Sequence, residues 1–141
     1  MKVTVTKIDA AVHQLDWAIK LFIDHNEYLP AITLAGAAEE VLGELVGGEA
    51  AFRQLLSSLT EKYGVPANVV SQQHLNKVKN WLKHWKDLQD SEAIEADLEE
   101  EAIQYILRAT GNLYTHDKSL TSETPRFFEW LAENRRDLFS G

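Results

Sequence analysis

The chain contains no cysteine. Disulfides, thiolate metal sites and a cysteine nucleophile are therefore excluded, and the composition fits a reducing cytoplasm. Long apolar runs are missing as well, with no window reaching the ~18 residues of a membrane span. The opening MKVTVTKIDAAVHQLDW is interrupted by Asp9 and Asp16, so neither a signal peptide nor a membrane anchor is expected. Bases are fewer than acids, 14 against 22, for a formal net charge of -8. Nucleic acid binding over the whole surface is disfavoured, because phosphate neutralisation needs Lys and Arg. A local basic site remains open. No Pro/Gly/Ser-rich linker, internal repeat or low-complexity tract divides the 141 residues, so residues 1–141 read as a single domain.

Several chemical signatures are missing too. The five histidines (13, 25, 74, 84 and 116) are scattered, and neither Glu-x-x-His nor His-Glu-x-x-His occurs. Glu39 and Glu40 are adjacent and point ~100° apart on a helix, so they do not form one carboxylate pair. VGGEAAF lacks the spacing and lysine of a phosphate-binding loop. No metal and no cofactor is expected.

What is present is helical periodicity almost throughout. Thr6 and Asp9 mark a helix start, followed by the stripe Ile8, Val12, Leu15, Ile19 and Phe22, with His25-Asn26 as the exit. Pro30 suits a first helical turn, and the second helix carries Leu34, Ala38, Val41 and Leu45 on one face. Its small residues Ala35, Gly36, Ala37 and Ala38 allow close approach of neighbours, so this helix is expected at the centre. A third helix over roughly 49–63 carries Phe52, Leu55, Leu56 and Leu59 and stops at Gly64. Ser71 is a candidate cap for a fourth, and Ser91 for a fifth with Ile94, Leu98, Ile103, Ile106 and Leu107. Thr110-Gly111 ends or bends that helix, leaving 111–123 as the longest irregular segment. Thr124-Pro125 opens a last helix with Phe127, Phe128, Leu131 and Leu138. Only KVTVT (2–6) alternates in the manner of a strand. The fold class is all-α, a bundle of five to six helices.

Charge is distributed unevenly. HLNKVKNWLKHWKDL (74–88) holds Lys77, Lys79, Lys83 and Lys86 with no acid before Asp87, whereas Asp87 to Glu101 holds eight acids and no base. Two antiparallel neighbours with attracting solvent faces would explain this contrast without any ligand. On a helical wheel Leu75, Val78, Leu82 and Trp85 form the core face, with Trp81 at its margin. Lys77, Asn80 and His84 lie opposite, so His84 points toward solvent or a partner.

KNWLKH (79–84) resembles the signature of the HEPN superfamily of small all-α domains, an Arg, a polar residue and a His after four to six intervening positions. Four residues separate Lys79 from His84, Asn80 holds the polar position, and LAGAAEEVLGELV is similar to the small-residue helix that precedes the signature. The resemblance implies a HEPN-like homodimer and metal-independent endoribonuclease chemistry. In that chemistry His84 is the acid/base, Lys79 holds the phosphate and Asn80 orients it, with Lys77 and Lys83 contacting substrate. A nucleotidyltransferase-type antitoxin partner is implied by family analogy only. The departure is Lys79 in place of Arg, which loses the planar two-oxygen grip. Lys79 also lies ~140° from His84 on an ideal helix. The alternative is a noncatalytic RNA- or protein-binding module of the same fold.

Overall fold

The computed structural model describes residues 1–47, 53, 57, 60–61, 64, 77–83 and 93–138. Among them are five α-helices and one 3₁₀ turn, with no strand. The helices are α1 (Lys7–His25), α2 (Tyr28–Val46), α3 (Lys77–Lys83), α4 (Leu98–Asp117) and α5 (Thr124–Asn134), and Arg136–Leu138 forms the 3₁₀ turn. No helix among the described residues is long and apolar enough to cross a membrane. The class is all-α, as the periodicity required. KVTVT is exposed and irregular, and among the described residues there is no strand for its alternation to join.

Each helix end has a local cause. Thr6 caps α1 by accepting a hydrogen bond from the Asp9 N–H at 3.0 Å. Asn26 adopts the left-handed conformation at φ 53, and the Glu27 N–H donates back to the Leu21 carbonyl at 3.0 Å. Pro30 falls in the first turn of α2. Part of the expected third helix and the Ser71 and Ser91 caps lie outside the described residues. Arg53, Ser57, Thr60 and Glu61 are helical, and Gly64 closes that stretch at φ +67 with its N–H on the Thr60 carbonyl.

Two expectations about α4 need correction. It begins at Leu98, because residues 93–97 are not helical and Asp97 accepts from the Glu100 N–H at 3.0 Å. It also runs through Thr110-Gly111 to Asp117, so most of 111–123 is helix rather than loop. One interior glycine costs about 1 kcal/mol against alanine. Burial of Asn112 and Leu113 against the rest of the bundle outweighs that penalty. The helix stops at Lys118, left-handed at φ 62.

Helix α2 packs along both α1 and α4 and is the central element, as its small residues suggested. Its buried face is nevertheless rotated from expectation: Ala31, Ile32, Ala35, Gly36, Ala38, Glu39 and Leu42 are buried, whereas Leu45 is exposed. Two neighbours claim two sides of the helix, and small side chains rather than the leucine stripe fill the tight space. α5 likewise buries Phe127 and Leu131 while leaving Phe128 half out. Phe22 anchors the α1–α5 seam, with ring centroids 5.2 Å from Tyr28, 5.7 Å from Phe127 and 4.8 Å from Trp130. Asp16 on α1 then receives the Glu123 N–H (3.1 Å) and the Ser122 hydroxyl (2.9 Å), which ties the turn before α5 to α1.

Candidate functional site

Helix α3 docks on α2. Val78 is fully buried and Leu82 and Trp81 are half-buried, in agreement with the wheel. Asn80 is exposed, also as expected. Lys79 is different. It is only 4% exposed, so the buried face of α3 extends past the apolar stripe to include a cation.

A glycine makes this possible. A Cβ at position 36 would lie 2.6 Å from Lys79 Cδ and 3.2 Å from Cγ, so the lysine stem crosses α2 where a side chain is lacking. The ammonium then reaches Glu40, with Nζ 2.5 Å from Oε1. A buried ammonium needs such a partner, since an isolated charge carries a heavy desolvation cost. The two partners are unequally covered, the Lys79 side chain at 5% exposure and the Glu40 side chain at 50%.

Tyr105 of α4 lies beneath the lysine. Lys79 Nζ sits 5.5 Å from its ring centroid and Arg108 Cζ sits 4.0 Å from it, so one ring meets two cations. Burial pushes the Tyr105 hydroxyl well above its ordinary range, with nearby Arg108 working in the opposite direction. It therefore stays a neutral phenol at physiological pH. Glu39 and Arg108 are buried beside it, and Asn112 donates to the Glu39 carbonyl at 3.3 Å. Glu39, Glu40, Tyr105 and Arg108 each have further interactions.

Of the expected site residues, the side chains of Lys79 and Asn80 are described: Lys79 is buried and Asn80, ~100° further round α3, is exposed. The side chains of Lys77 and Lys83 and the whole of His84 lie outside the described residues. Among the described residues no group of three or more His, Cys, Asp or Glu is placed to hold a metal.

Sequence reasoning missed Gly36, Glu40, Tyr105 and Arg108 as parts of this cluster. A signal existed. Arg108 interrupts the apolar positions of α4 between Tyr105 and Ala109, and a cation inside such a stripe calls for buried acids elsewhere. Glu39, directly after the small-residue run, is a buried acid, and half-exposed Glu40 beside it takes the lysine. Comparison with known proteins finds no match, whether among family models, curated proteins or solved structures.

Proposed function

We propose that this chain is a noncatalytic HEPN-like helical module that binds RNA through the lysine-rich segment that contains α3. One observation carries the proposal: the Lys79 ammonium is held by Glu40 in the resting fold. Electrostatic catalysis at phosphate relies on charge aimed beforehand at the position where negative charge develops. A lysine already facing an internal carboxylate is not preorganised for that task. Binding is less demanding. Lysines on a helix surface add salt-sensitive affinity with no alignment to a scissile bond. Lys77 and Lys83 at the ends of α3, with exposed Asn80 between them, have the composition for it.

Endoribonuclease activity is the second reading, favoured by the Lys79-to-His84 spacing and by the exposure of Asn80. A cleavage assay in chelator, with wild type beside His84→Ala, separates the two. The noncatalytic module leaves RNA intact in both samples, binds it more weakly as salt rises, and loses affinity in Lys77→Glu and Lys83→Glu. Cleavage to a 2′,3′-cyclic phosphate that vanishes in His84→Ala would overturn it in favour of the nuclease.

A further inference from the structure

We propose that the groove between α4 and α5 binds an uncharged, flat aromatic molecule carrying one hydrogen-bonding oxygen, and that Thr110 selects for that oxygen. None of the residues lining the groove belongs to α3, so the site stands or falls apart from the RNA reading above.

The groove has a volume of about 350 Å³. Leu107, Thr110, Gly111 and Tyr114 of α4 line it, with Leu120 of the following segment and Phe128 of α5. The four α4 positions recur at spacings of three and four, so they form one stripe of that helix. Gly111 adds no side chain, which leaves the stripe open at its middle. α5 turns Phe127 and Leu131 into the core and keeps Phe128 for the groove. Tyr114, Leu120 and Phe128 are all exposed large hydrophobics, and here they meet in one concave place. Single exposed apolar residues need no explanation, but a gathered set marks a binding surface.

The lining restricts the ligand. Among the described residues no acidic or basic side chain lines the groove, so an ion entering it would lose hydration without a partner. Lys118, which is not part of the lining, places its ammonium 5.0 Å from the centroid of the Tyr114 ring and steadies that wall. Tyr114 and Phe128 are aromatic, and flat rings pack well on aromatic walls. A cavity of about 150 Å³ takes benzene, so a groove more than twice that size suits two fused rings.

Thr110 supplies the polar point. It is only 5% exposed, and its hydroxyl oxygen is fully covered with no hydrogen-bond partner among the described residues. A buried hydroxyl left unpaired is costly, and valine would fill the same shape without that cost. A ligand oxygen removes the penalty. Threonine in a helix divides between two χ1 rotamers, so oxygen and methyl exchange places without backbone movement. In the bound state that rotation turns the hydroxyl toward the ligand while the rings cover the apolar walls.

Thermal unfolding without ligand tests the hydroxyl first. Thr110→Val is expected to raise the midpoint by roughly 3–6 °C. A midpoint that stays or falls would overturn the selective role, because the hydroxyl would then already be satisfied. NMR titration with 1-naphthol, 1-methylnaphthalene and 1-naphthoate tests the site itself. Both neutral probes are expected to bind wild type. Thr110→Val should shift the ratio of their affinities toward 1-methylnaphthalene by roughly 3- to 10-fold, and Thr110→Ser should keep the wild-type ratio. Phe128→Ala should weaken both by roughly 3- to 10-fold, with Leu120→Ala as the second wall variant if it does not fold. Leu29→Ala removes an equally exposed side chain from α2 and should change neither.

An unchanged ratio in Thr110→Val would overturn the role of the threonine. No binding of either neutral probe up to its solubility limit, or full binding in the wall variants, would overturn the site. Tighter binding of 1-naphthoate than of 1-naphthol would overturn the uncharged ligand. If sedimentation shows a wild-type dimer that excludes both probes and separates in Phe128→Ala, the groove is a contact between copies and the ligand site is overturned.

Discussion

The α1–α5 seam and the α2–α3–α4 seam fasten the same bundle by different means. In the first, Phe22 meets Tyr28, Phe127 and Trp130 ring to ring, and the charged pairs remain outside, with Arg126 on Asp24 at 2.5 Å. In the second, a lysine, an arginine, a glutamate and a tyrosine are buried between helices at a glycine slot, and half-exposed Glu40 pairs with the lysine. Aromatic burial gains free energy on contact. Burying charge costs desolvation that good pairing returns only in part. The aromatic seam is thus a source of stability, whereas the polar seam is the place where the fold holds chemistry it does not need for cohesion. That difference directs the search for function to Lys79 and Glu40.

The largest expected effect lies in the aromatic seam. Phe22→Ala removes the ring shared by three neighbours and should cost about 3–5 kcal/mol in denaturant unfolding. A cost near 1 kcal/mol would show that α5 is held by its ion pairs instead. In the polar seam, Lys79→Ala deletes a buried stem and should cost about 2–3 kcal/mol. Lys79→Met keeps the stem and should cost no more than about 1 kcal/mol, because half-exposed Glu40 is then hydrated. Equal losses in the two variants would mean that charge, not packing, seats α3.

Gly36→Ala should cost about 1 kcal/mol net, since the contact with the lysine stem exceeds the gain in helix propensity. Combined with Lys79→Ala, the same change should become neutral or stabilising. Additive losses in that double-mutant cycle would break the link between the glycine and the lysine.

The smallest effect concerns the rim of the aromatic seam. Arg126, chiefly through its hydrogen bond, holds the Asp24 carboxyl below the ordinary value of 3.8. A depressed carboxylate adds stability above that ordinary value and loses it as pH falls through the folded one. Asp24→Asn should therefore lower the unfolding midpoint slightly at neutral pH, with the difference disappearing under strongly acid conditions. A difference that persists in acid would trace to packing rather than to the ion pair.

The helices were legible where caps and apolar spacing agreed. Thr6, Asn26, Gly64 and Thr124-Pro125 each mark a boundary by their own backbone or side-chain preference. Gly111 misled because propensity is a weak local term that a buried helix overrides, and α4 starts later than the apolar spacing suggested because Asp97 supplies its cap. On α3, the wheel placed Val78 inside and Asn80 outside. It gave no reason to expect Lys79 inside, since that depends on what faces it.

The sequence alone therefore determined the all-helical class and most helix ends, because caps and 3.6-residue periodicity act within a few residues of one another. Only the tertiary structure decided that Lys79 is paired with Glu40 over Tyr105. The slot that admits the lysine stem is a missing side chain at Gly36, 43 positions away. Such a vacancy has physical meaning only once two helices are pressed together.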